Sequence, residues 1–210
     1  MDARDWDARY AELTLDRPAA GQPVEPNEFV VSELTGLAPG RAYDMACGGG
    51  RNAIWLAGRG WQVTAADFSA TGLELARGRA EAALGAASAR IDWQLADATR
   101  TGPVAGAYDL VLVSYLQLPA EQRRLAVRAA AAGLAPGATL LVVAHDATNL
   151  AEGWGGPQHP EVLYTAEELL ADLAGLTGLR TVRAGRVART VRGGGQQHTA
   201  WDALVRVRAD

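Results

Sequence analysis

Arg41 to Ser69 reads RAYDMACGGGRNAIWLAGRGWQVTAADFS, and the reading of the whole chain follows from it. A short apolar run ends at Asp44, and the chain then turns tightly through Cys47-Gly48-Gly49-Gly50. An apolar-periodic segment follows (Ala53, Ile54, Leu56, Ala57), and the β-branched run Val63-Thr64 ends at Asp67. Strand, glycine turn, helix, strand is a unit that pairs two parallel strands and aims backbone N–H groups and a helix N-terminus into the crevice beside them. Glycine is needed at such a turn because a Cβ would block close approach of a ligand and resist positive φ. The second acid, one strand further on, is suitably placed to accept hydrogen bonds from a ribose diol. The stretch predicts an adenosyl-cofactor site.

Two cofactor classes share this arrangement. Gly48-x-Gly50-x-x-Ala53 fits the dinucleotide fingerprint, which keeps an NAD(P)-dependent oxidoreductase as an alternative. Asp44 argues against it. A central parallel strand is expected to be almost continuously apolar, and a carboxylate buried there is costly unless it meets a cation or several donors. S-adenosylmethionine brings an ammonium and a sulfonium, whereas NAD brings two phosphates that Asp44 would repel. The sign of the charge favours the methyl donor.

At 210 residues the chain suits one domain over 1–210, with 1–37 as an N-terminal helical cap region. A net charge of −4 argues against an electrostatically driven nucleic-acid binder. All 20 basic residues are arginines. A single cysteine, Cys47, excludes an intrachain disulfide and makes a cytoplasmic setting natural. No apolar run approaches membrane-spanning length. No cluster has metal-ligand spacing, so no metal is expected.

Residues 2–13 read as an amphipathic helix with Trp6 and Tyr10 on one face, packed on the domain or covering a cofactor. Asn27 is a good N-cap for a helix to about Leu37, and Ser69 for one over Ala70–Leu84. Strands are expected at Arg90–Leu95, Tyr108–Tyr115 and Thr139–Ala144, with a helix over Ala120–Leu134 and another near Ala166–Leu173. LRTVRAGRVARTVR and HTAWDALVRVR, joined by Gly193-Gly194-Gly195, read as a β-hairpin. Arginines at 180, 183, 186, 189 and 192 alternate between strand faces and read as mainly solvated.

Six blocks in order carry a family likeness: WDARY (6–10), DMACGGGRNAIWLA (44–57), VTAADFS (63–69), ADA (96–98), YDLVLVSYLQLP (108–119) and LAPGATLLVVAHD (134–146). The chain resembles the class I S-adenosylmethionine-dependent methyltransferases, most closely the small tellurite-resistance and thiopurine branch. That resemblance implies an α/β, Rossmann-like fold: a seven-stranded, mainly parallel sheet with a C-terminal antiparallel hairpin and helices on both faces. It also implies S-adenosylmethionine as cofactor. Asp44 and the backbone of Ala46, Cys47, Gly48 and Gly50, with Arg51 and Asn52 at the helix start, would surround its methionine part. Asp67 would take the ribose hydroxyls, Phe68 and Ser69 would stand beside the adenine, Asp97 and Ala98 would meet the ring edge, and backbone near Ser114 and Leu116 would close the other side. Ala46 departs from the family, where many members have glycine.

Methyl transfer from a sulfonium is an in-line displacement to which a protein contributes mainly proximity and exclusion of water. A soft thiol needs little more; a hydroxyl or ring nitrogen needs a base. His145, followed by Asp146 at the end of the fifth strand, is the first candidate, and Tyr115 the second. The long loop Ala147–Leu163, with Asn149 and Trp154, is expected to form a lid with the N-terminal helix over a small-molecule methyl acceptor. Trp154 reads equally as a hinge anchor, and His198 as structural. Nothing in the sequence separates monomer from homodimer, or an active enzyme from a catalytically silent cofactor-binding module.

Overall fold

In the computed structural model the residues described are 25–210, so the expected helix with Trp6 and Tyr10 lies outside them. Seven strands form a mixed sheet in the order β3-β2-β1-β4-β5-β7-β6. They are β1 (Arg41–Met45), β2 (Gln62–Asp67), β3 (Ile91–Leu95), β4 (Tyr108–Ser114), β5 (Leu134–His145), β6 (Leu179–Gly193) and β7 (Gln196–Ala209). The chain divides into two compact units, the first ending at Thr101 and the second running Gly102–Asp210.

In the first unit β1, β2 and β3 pair in parallel, so their C-terminal ends lie along one edge. Helix α1 (Glu28–Leu34) starts where Asn27 accepts from the Phe29 and Val30 N–H groups, as its residue type predicts. It ends three residues earlier than expected. Helix α2 (Arg51–Gly58) follows the glycine turn, and α3 (Ala70–Leu84) starts at the Ser69 cap, whose side chain accepts from the Gly72 N–H. The inward faces of β1 and β2 are apolar: Ala42, Met45, Val63 and Ala65 are buried.

In the second unit β4 and β5 are parallel, and β7 runs antiparallel between β5 and β6. Leu110 to Val113 and Leu140 to Ala144 are almost wholly buried, the near-continuous apolar run of strands covered on both faces. Each such side chain contributes roughly 1.5–3 kcal/mol of transfer free energy. Strand β5 begins five residues earlier than expected. Leu134 pairs with Tyr108 before a register shift, and Ala135-Pro136-Gly137 occupies the bulge, where a proline's missing N–H is not required. Helix α4 (Ala120–Ala132) accordingly stops two residues short of the expected end. The short α5 (Asn149–Glu152) opens the long loop, and α6 (Ala166–Leu173) starts at a Thr165–Glu168 capping box. Gly194 and Gly195 both have positive φ (56° and 78°), as a two-residue turn matched to strand twist requires.

Candidate functional site

The first unit presents a carboxylate that its own fold does not satisfy. Asp44 is 1% exposed, one residue short of the end of β1, and among the described residues neither of its oxygens meets a hydrogen-bond partner. Burial pushes its carboxyl up to about 7, against the pull of the Arg51 guanidinium and with the push of Asp67; the Ala53 N–H, which falls outside hydrogen-bond geometry, lowers it least. Cys47 beside it has its thiol pushed well up by burial and by Asp44 and Asp67, so it stays a thiol and no nucleophile.

Asp67 fixes the glycine turn. Its Oδ2 accepts from the Gly48 N–H at 2.8 Å and its Oδ1 from the Ser69 N–H at 2.9 Å. The Gly50 N–H returns to the Cys47 carbonyl, and Ile54 continues into α2 from the Gly50 carbonyl. Gly50 has φ +78°, and a Cβ there would come within 2.8 Å of both Ala76 and the Trp93 ring. Both conformation and space demand glycine at that position. Ala46, by contrast, takes φ +56° with a side chain.

Other residues expected at the cofactor are placed as follows. Asn52 is buried and accepts from the Asn27 N–H, tying α1 to α2. Phe68 is half-buried directly after β2, and Leu95, at the register position of Asp67 on β3, is exposed. Sequence reasoning missed Leu95 and Trp93, which look like ordinary strand residues. Asp97 accepts from both the N–H and the hydroxyl of Thr99 and stands 3.6 Å from Arg100, so it builds the turn on which the half-buried Ala98 sits.

The second unit brings two of the expected site residues, Tyr115 and His145, to two that were missed, Asp202 and Arg189. Asp202 on β7 is fully buried. It accepts from the Tyr115 hydroxyl at 2.7 Å and from Arg189 Nε at 2.6 Å, while His145 Nδ1 stands 3.4 Å from its other oxygen. Burial alone would raise the Asp202 carboxyl; His145, Arg189 and Tyr115 outweigh it and hold it below the ordinary carboxylate range. Arg189 is correspondingly held above its usual value, desolvation being outweighed by its bonds to Asp202 and Tyr115. The Tyr115 and His145 rings lie 4.7 Å apart, and Tyr115 takes φ +59°. Left-handed backbone on a non-glycine residue is a strained state that persists where surroundings over-determine it.

Asp146 is buried and accepts from the Thr148 N–H and hydroxyl, a turn-capping role. Ser114 ends β4 with its hydroxyl buried and unpartnered among the described residues, and the Leu116 carbonyl accepts from the Tyr164 hydroxyl. Asn149 tethers the loop, accepting from the Trp201 N–H and donating to the Gly155 carbonyl. Trp154 stacks on His198 at 4.7 Å and covers Gly193, where a Cβ would lie 2.0 Å from its ring. The arginine stripe departs from expectation: Arg189 holds Asp202, and Arg186 pairs with Glu152 at 2.6 Å. Sequence reasoning missed Asp202, and the signal that could have found it is a lone acid inside an otherwise apolar strand, WDALV. Among the described residues, no group of three or more metal-ligating side chains gathers, and no helix is long and apolar enough to cross a membrane.

Residues 42–137, a little under half of the chain, match the family described as a methyltransferase domain. No curated protein sequence matches the chain. A solved structure concerned with conversion of a disulfide bond into a thioacetal group during echinomycin biosynthesis is 24% identical with a TM-score of 0.73, over 99% of this chain and 92% of that one. The cyclase SpnF is 16% identical with a TM-score of 0.69, over 99% and 94% of the two chains. The N-methyltransferase NodS of Bradyrhizobium japonicum WM9, solved with S-adenosyl-L-homocysteine, is 19% identical with a TM-score of 0.66, over 95% and 97%. At these identities the likeness is one of fold. The segment matched to the methyltransferase domain carries Asp44, the glycine turn and Asp67, and the fold is the one these solved structures share.

Proposed function

We propose that the chain transfers a methyl group from S-adenosylmethionine to sulfur, nitrogen or oxygen of a small molecule, releasing S-adenosylhomocysteine. The observation that carries this reading is Asp44, a buried carboxylate whose two oxygens lack a hydrogen-bond partner among the described residues. A buried anion is tolerated when a cation completes it, and a cationic ligand supplies what the fold withholds. A dinucleotide would add negative charge to the same place. When bound, the cofactor supplies an electrophilic methyl group on a neutral leaving group. The chain's part is to receive its ammonium at Asp44, its ribose at Asp67 and its adenine against Phe68 and Leu95, with the backbone from Ala46 to Gly50 closing round the rest.

Of the class I branches, the ordered sequence blocks favour the small tellurite-resistance and thiopurine type. The sulfur chemistry named for the echinomycin structure is in keeping with a soft acceptor on this fold. The reading is tested by incubating the protein with S-adenosylmethionine and a panel of thiols, phenols and azoles while quantifying S-adenosylhomocysteine. Acceptor-dependent release of that product is expected. Binding of NADH in place of the methyl donor would sink the proposal, and cofactor binding with no transfer to any acceptor would reduce the chain to a silent binding module.

A further inference from the structure

We propose that Trp93 and Arg79 are positioning residues that hold the glycine turn of the first unit from behind and so preset it for the cofactor. This rests on the methyltransferase reading and deepens it, because it names side chains outside the turn that set its affinity. The turn does not hold itself. Ala46, Gly48 and Gly50 all take positive φ, at 56°, 54° and 78°. Alanine resists that conformation, and glycine loses more backbone freedom than any other residue when it is fixed. Backbone N–H groups tie the turn down at Cys47, to the Ala66 carbonyl, at Gly48, to Asp67, and at Gly50, to the Cys47 carbonyl. Further support at Gly49 and Gly50 comes from side chains.

Arg79, on α3, donates from Nη1 to the Gly49 carbonyl at 3.3 Å, and a Cβ on Gly49 would lie 2.3 Å from that nitrogen. Trp93, on β3, presents Cη2 and Cζ3 of its six-membered ring to Gly50. A Cβ there would lie 2.8 and 3.2 Å from them, and 2.8 Å from the Cβ of Ala76 on α3. At both glycines the space of a side chain is thus filled by the protein itself, and the backbone side of the turn is left for a ligand. Trp93, Ala65 and Asp44 are register partners across β3, β2 and β1, so they lie in one row of the sheet. The small side chain of Ala65, buried between the other two, leaves the indole room to reach Gly50. A guanidinium stays protonated at any working pH, so Arg79 donates to the turn throughout. A loop held in its bound shape before the ligand arrives gives up less ordering entropy on binding, and the affinity is higher for it.

The test is calorimetric titration of S-adenosylhomocysteine into full-length wild type, Trp93→Phe, Arg79→Met and Arg79→Lys. Amide exchange at Gly48 and Gly50 is followed by NMR in the same proteins without ligand. Phenylalanine keeps a ring on β3 but lacks the atoms that touch Gly50, and methionine keeps a stem along α3 but lacks the donor. Each is expected to weaken binding about tenfold and to speed exchange at the turn, with exchange in the strand interiors of β1 and β2 unchanged. Arg79→Lys retains a donor for the Gly49 carbonyl and is expected to recover most of the loss. A merely structural role would lower the melting temperature and leave the affinity where it is. Should Trp93→Phe fail to fold, the half-buried Arg79 decides the question through its two variants. With S-adenosylhomocysteine bound by the wild type, equal affinity in the variants overturns this inference and leaves the methyltransferase reading standing. Weakened binding with unchanged exchange at the turn overturns it in the same way. Failure of the wild type to bind S-adenosylhomocysteine overturns that reading, and this inference with it.

Discussion

Asp44 concentrates the cost of function in one side chain. Its carboxyl is raised from 3.8 to about 7, so between those values the folded chain holds a proton that the unfolded chain releases. Stability from this group is present below the lower value and lost as pH rises through the upper one. The ligand-free protein is therefore expected to melt at lower temperature at pH 8 than at pH 5. Asp44→Asn should flatten that dependence and be more stable at pH 8 by no more than about 4 kcal/mol. A melting profile with the same slope in both proteins would contradict it. Ala46, at φ +56°, carries a second local cost. Ala46→Gly should raise the unfolding free energy by about 1 kcal/mol in urea titration, less the entropy glycine loses on folding. Asp44 was legible in sequence because a carboxylate in a buried strand needs a reason; the left-handed backbone at Ala46 was not, since alanine carries no φ signal.

Among the elements, those with local start signals were legible with near-final bounds. Ser69 and Thr165 cap α3 and α6 by bonds within three residues of themselves, and a reader of the chain has both partners in view. The hairpin was legible for the same reason, from its glycine turn. What escaped was pairing across strands: Arg186 and Arg189 look solvated until the fold sets Glu152 and Asp202 against them. The long loop is held to this hairpin by Trp154, which stacks on His198 over Gly193. Gly193→Ala puts a methyl group into that ring's space. It should speed hydrogen exchange across Ala147–Leu163 while leaving exchange in β4 and β5 unchanged. Equal protection of the loop in both proteins would show that the tryptophan is not its anchor.

At the scale of the molecule, the two units differed in how well the chain announced them. The first holds its candidate residues on one contiguous stretch, strand, glycine turn, helix and strand, so Asp44, Gly50 and Asp67 stood out as candidates from the sequence. The second assembles Tyr115, just after β4, with His145, Arg189 and Asp202 from β5, β6 and β7, and Asp202 stands beside His145 because β7 runs antiparallel along β5, where the two residues are register partners. No local pattern encodes such a meeting. Binding should also carry the signature of Asp44 releasing its proton. Affinity for S-adenosylhomocysteine is expected to rise about tenfold from pH 6 to pH 8, following the ionised fraction of a group near 7. The most direct measurement is calorimetric titration of S-adenosylhomocysteine into the wild type and Asp44→Asn at pH 8, with NADH titrated in parallel. The account predicts micromolar binding to the wild type, weakened at least about 100-fold in a variant that is itself more stable, and no binding of NADH. Equal affinity in both proteins, or a preference for NADH, would contradict it.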